Sequence, residues 1–102
     1  MKHAFHPDAL AEYAVAVRTY EDARPGLAAR FIENIEAAIS AVCSSPERWP
    51  VLEHDIRRRL TRVFPFAILY TVEEDHVLIV AVMHCHQKPG YWRSRVEADP
   101  AE

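Results

Sequence analysis

Apolar residues at Leu10, Tyr13, Ala14, Val17 and Tyr20 recur at helical spacing, and a stronger stripe follows at Leu27, Phe31, Ile35, Ala38, Ile39 and Val42. The first stripe is preceded by His6-Pro7-Asp8. Proline suits the first helical position, and an acid in the first turn complements the helix dipole. Lys2 to Phe5, just ahead of it, reads as a short strand. Arg24-Pro25-Gly26 interrupts the periodicity, so a second helix is expected from near Pro25 to about Cys43. Its polar face carries Arg30, Glu33, Asn34 and Glu36. The short break makes the two helices an antiparallel hairpin.

After Ser44-Ser45-Pro46 the pattern changes. Pro46 to Pro50 reads as a compact turn with Trp49 as its anchor. A strand is expected over about Arg57 to Val63, limited by Pro65. Ala67 to Val72 gives a third strand, and Glu73-Glu74-Asp75 a polar turn. The near-continuous apolar run VLIVAVM within Val77 to Cys85 suits a central strand. Tyr91 to Arg95 reads as a short turn or helix. The order β-α-α-β-β-β gives an α+β fold, a helical hairpin packed on one face of a small antiparallel sheet. One domain over residues 1–96 is expected, with a frayed tail over 97–102.

Composition adds limits. Half the residues are hydrophobic and 26% are charged, the balance of a globular domain. No run approaches the ~18 apolar residues of a membrane span, and the N-terminus lacks a signal-peptide core. Cys43 and Cys85 make no disulfide framework and read as free thiols of a reducing cytoplasm. Charge is distributed unevenly. The formal net charge is −3, yet Arg48, Arg57, Arg58, Arg59 and Arg62 cluster in one stretch. A local basic patch on an acidic chain points to an anion, a nucleic acid or an acidic partner.

Few chemical constellations survive inspection. His84 and His86 alternate on a strand and share a face, but a structural zinc needs four ligands at recognisable spacing. No CxxC or HxxxH occurs, so no metal is expected. Cys85 lies between two histidines on the opposite face, and no orienting third group can be argued for a Cys–His dyad. Nucleotide-binding and nucleophile-elbow fingerprints are missing, and no cofactor is expected. What remains is the basic strand. Alternation sends Arg58, Leu60 and Arg62 one way and Arg57, Arg59, Thr61 and Val63 the other. With His84, His86, Lys88, Tyr91 and Arg93 they outline a surface for a phosphodiester or an acidic partner. An ordinary solvated strand face accounts for the same charges equally well.

The ordered set of FHPDALAEY, RPGLAARFIENIEAAI, SPERWP, the basic strand, FPFAILY and H-x-H-x-x-PGYW resembles the RelE/ParE superfamily of bacterial type II toxins, over about Met1 to Arg95. The plasmid-stabilisation proteins belong to it. The resemblance implies a cytoplasmic toxin neutralised by a cognate antitoxin in a hetero-oligomer. Its fold, two helices against a sheet, is the one the periodicity gives. ParE-like members inhibit DNA gyrase without chemistry. RelE-like members cut mRNA on the ribosome, using basic residues on the sheet and a C-terminal Arg or Tyr. On the nuclease reading Arg62, His84, His86 and Tyr91 are the catalytic candidates. His86 stands where many members carry Arg, and the only lysines are Lys2 and Lys88, which favours the ParE-like branch. Target and antitoxin contacts are then expected at Arg57, Arg58, Arg59, Arg62, Lys88 and Arg93. A third alternative is a degenerate member that only binds its antitoxin.

Overall fold

The computed structural model describes residues 1–96. The expected frayed tail over 97–102 lies outside the described residues. The elements are β1 (Lys2–Phe5), α1 (Pro7–Ala23), α2 (Leu27–Ser44), β2 (Val51–Glu53), β3 (Ile56–Leu60), β4 (Phe66–Val72), β5 (His76–His84) and a 3-10 turn at Arg93–Arg95. The sheet order is β1-β5-β4-β3-β2. The fold is α+β, as expected, with two helices covering one face of the sheet.

Local chemistry explains the helix boundaries. The His6 side chain caps α1 by accepting from the Asp8 N–H at 3.0 Å, and Pro7 occupies the first turn. Between the helices Gly26 takes φ 83°, a left-handed conformation open to glycine at little cost. That turn delays α2 to Leu27.

The sheet differs from expectation in two respects. It is mixed rather than antiparallel, because β1 pairs parallel with β5, Phe5 opposite Ile79. It also has an additional strand. Val51–Glu53 folds back on β3 through His54-Asp55, with His54 at φ 51°. Three residues are too few to show a strand period. The basic strand is shorter than expected and ends at Leu60, so Arg62 and Val63 lie in the following loop.

The main core lies between helices and sheet. Phe31, Ile35, Ile39 and Val42 of α2 meet Phe66, Ile68, Tyr70, Val77, Ile79 and Val82. The α2 stripe is the expected one. The α1 face is rotated: Ala9 and Ala16 are buried, whereas Leu10 is 53% exposed. Alanines let the helix lie close over β5. On the sheet's other face Trp92 is buried against Ile56, Ala67, Leu69, Val80 and Ala81. A register shift between Leu69 and Tyr70 on the β4–β5 pair lets both Val80 and Ala81 reach that face.

Candidate functional site

Strand alternation divides the arginines, and the two groups have different surroundings. Arg57 and Arg59 pair with Tyr70 and Ile68, whose side chains face the helices. Both are engaged by the Pro46–Pro50 turn. Arg57 Nη1 donates to the carbonyls of Glu47 at 3.1 Å and Trp49 at 2.6 Å. The Arg59 guanidinium lies 5.0 Å from the Trp49 ring centroid, and Arg48 lies 5.2 Å from it. Tyr70 completes the anchorage by donating to the Pro46 carbonyl. These two arginines therefore hold a loop in place.

Arg58 lies on the opposite face, level with Leu69. Among the described residues neither Arg58 nor Arg62 has a printed side-chain hydrogen bond or ion pair. Leu60 and Val63, beside them, are 49% and 67% exposed. Unpaired cations alternating with exposed aliphatic groups make a ridge suited to an acidic, partly apolar surface. Lys88 is exposed in the loop after β5.

The remaining candidates lie around the end of β5. His84 packs on Phe66, ring centroids 5.1 Å apart, and His86 is 5.1 Å from His84. The His84 Nδ1 accepts from the His86 N–H at 3.1 Å. In the neutral ring this leaves the proton on Nε2. A metal at Nε2 would require that tautomer to reverse, and among the described residues no group of three metal-ligating side chains occurs. Thr61, Phe66 and His84 share one level across three strands, because the Thr61 N–H donates to Phe66 and Phe66 pairs with His84. Arg62 and the histidines thus share an end of the sheet but are separated by roughly 10 Å, two strand spacings.

Tyr91 and Arg93 are engaged elsewhere. The Tyr91 hydroxyl donates to Glu12 Oε2. Burial, then the hydrogen bond to Glu12, push this phenol above its ordinary range. Arg95 reaches both Glu12 oxygens at 2.9 Å and the Val80 carbonyl at 3.1 Å. Glu12 Oε1 also accepts the Val82 N–H at 3.1 Å. Glu12 is thus the centre of a network that joins α1, β5 and the C-terminal segment, and it is absent from the candidates read in the sequence. A lone acid on a helix carries no local sign of a partner 83 residues away.

Arg93 forms a two-pronged pair with Glu53, at 2.7 and 2.9 Å. The bonds to Arg93 hold the Glu53 carboxyl below the ordinary range. A carboxylate of lowered pKa contributes stability above its unfolded pKa of about 4.3, and loses it as pH falls through the folded value. The melting temperature of the Glu53→Gln variant should therefore fall less than that of the unaltered chain between about pH 5 and pH 3. Equal acid sensitivity in the two proteins would remove the assignment.

The thiols offer little nucleophilic chemistry. Cys43 lies 3.9 Å from His3 Nδ1, but burial pushes its thiol up and so disfavours the thiolate. Cys85 is exposed. A groove of about 600 Å³ runs between α1 and the end of β5, with Glu12, Val15, His84, Tyr91 and Arg95 among its walls. No helix of the described residues is long and apolar enough to cross a membrane.

A family model for the ParE toxin of the type II toxin–antitoxin system parDE matches residues 4–89. No curated protein matches the chain significantly. The matched span includes both helices and β2 to β5, and it ends before Tyr91.

Proposed function

The chain belongs to the ParE toxin family of type II toxin–antitoxin systems, and from that premise we propose that it arrests growth by binding its target, with DNA gyrase as that target. One observation carries the reading. The residues a nuclease would use are not assembled around one point, while the free cations sit on a binding ridge. Tyr91 is hydrogen-bonded to Glu12, and its raised pKa opposes a role as general base. Arg62 stands roughly two strand spacings from His84. Arg58 and Arg62, with Leu60 and Val63, form the ridge that would meet the target or the acidic part of an antitoxin.

The ribonuclease reading retains one observation in its favour: His84 and Tyr91 line the same groove. Induction without antitoxin separates the two. Binding to gyrase predicts growth arrest with a DNA-damage response, inhibited supercoiling by the purified protein, and translation intact at first. The Tyr91→Phe variant should stay toxic, since only one hydrogen bond is lost, about 0.5–1.5 kcal/mol of stability. Arg58→Glu combined with Arg62→Glu should weaken the relevant complex at least tenfold. Immediate translation arrest with mRNA cleavage, abolished by Tyr91→Phe or His84→Ala, would replace this reading with the nuclease. No arrest by a folded chain would mean a member that only binds its antitoxin.

A further inference from the structure

The β5 strand is the second strand from one side of the sheet, but only half of it is covered. Its neighbour β1 ends at Phe5, opposite Ile79. The last main-chain bond across that seam runs from the His6 N–H to the Ile79 carbonyl at 2.8 Å. Beyond it, Val80 to His84 forms a free edge. The direction of the backbone groups there follows from the pairing. The Thr61 N–H donates to the Phe66 carbonyl, so Phe66 directs its main chain toward β3. Its β5 partner His84, and Val82 two residues before, must then direct theirs away from β4.

Side chains occupy two of these edge positions. A Glu12 oxygen accepts from the Val82 N–H at 3.1 Å, as a strand carbonyl would. The Arg95 guanidinium donates to the Val80 carbonyl at 3.1 Å, as a strand N–H would. They are stand-ins for the two main-chain groups of an adjacent strand, and they also hold each other. The groove of about 600 Å³ lies along this edge, with Ala11, Val15 and Tyr20 on its α1 wall. An occupant able to replace the stand-ins needs main-chain donors and acceptors at strand spacing. A helix has its own satisfied internally and cannot supply them.

We propose that the Val80–His84 edge accepts an extended segment of the antitoxin as an added strand, continuing the row that β1 begins, with Glu12 and Arg95 displaced as it docks. The proposal rests on the antitoxin partner that family membership implies. Alternate residues of the segment would face the α1 wall and be small and apolar. Its remaining side chains would pass Asp8 and the freed Arg95 at the groove's end, where one acidic residue on the segment would pair with Arg95.

The test is hydrogen exchange by NMR on the chain alone and co-expressed with the product of the reading frame adjoining its own. Added-strand docking predicts that the Val82 and His84 amides slow at least tenfold in the complex, with cross-strand contacts to extended residues of the partner. The His84→Pro variant removes an outward N–H without costing a bond to β4, and should weaken the complex at least tenfold. The His84→Ala variant keeps that N–H and should stay within about threefold. A stable complex in which both amides exchange as in the free chain overturns the added strand and leaves the antitoxin partnership standing. So does a partner helix in the groove. Failure of the adjoining product to bind overturns the partner assignment and this inference with it. If His84→Pro does not fold, the exchange measurement on the unaltered chain decides alone.

Discussion

Replacing Phe31 with alanine is expected to lower the free energy of unfolding by about 3–5 kcal/mol. Phe31 is fully buried at the centre of the helix–sheet core. Its ring centroid lies 4.9 Å from Tyr20, 4.9 Å from Phe66, 5.3 Å from Phe64 and 6.1 Å from Tyr13. These rings come from α1, α2, the loop before β4 and β4 itself. Truncation removes both the buried area and the edge-to-face contacts, and four fixed neighbours cannot collapse into the space. A domain of this size has only about 5–15 kcal/mol in total, so the variant stands near the limit of folding. Urea unfolding with an unchanged m-value is the measurement. Phe31→Leu should cost much less than Phe31→Ala. An alanine variant that lost under about 1.5 kcal/mol would show that this cluster is not the centre of stability.

The same residues show why parts of the fold can be read directly. The stripe on α2 consists of large apolar side chains, and six of them at helical spacing leave one possible buried face. The α1 helix is different. Its closest contacts with β5 are made by Ala9 and Ala16, while Leu10 points into solvent. Alanine is common on every helix face, so small-residue packing leaves little trace in a hydrophobic pattern, and the larger side chain draws the wrong assignment. The β1 strand was legible as a strand, but its parallel partner is 74 residues away, beyond any local signal. Alternation correctly separated Arg58 from Arg57 and Arg59. It could not say which set a loop would cover, because that depends on where Trp49 lies.

The candidate site divides in the same way. Arg58 and Arg62 were identifiable by type and remain without printed partners. Arg93 was identifiable by type too, yet Glu53 holds it, and Glu53 belongs to a strand too short to be read. Glu12 was invisible until the chain ends were brought together.

Breaking the Glu12–Arg95 pair should give the second large effect. Glu12→Ala is expected to cost about 3 kcal/mol, at the low end for a buried pair because Glu12 keeps 22% of its side-chain surface exposed and Arg95 11%. The carboxylate is also the acceptor for the Val82 N–H and the Tyr91 hydroxyl, so three donors lose their partner at once. Arg95→Ala should cost a comparable amount. The double variant should cost clearly less than the sum, with a coupling of about 1.5–3 kcal/mol between the two positions. Additive losses in denaturant unfolding would show that the two side chains do not act as a unit.

The coupling also bears on antitoxin binding. If docking displaces this pair, the unaltered toxin spends part of its binding energy on opening it. Glu12→Ala has no pair to open, and a bound strand would satisfy the Val82 N–H that the substitution strands. Since a partner stabilises a fold in proportion to its affinity for the folded state, the antitoxin should raise the melting temperature of Glu12→Ala by more than it raises that of the unaltered chain. Docking that leaves the pair closed predicts the opposite order, because the variant would then bring a less ordered surface to the same contact.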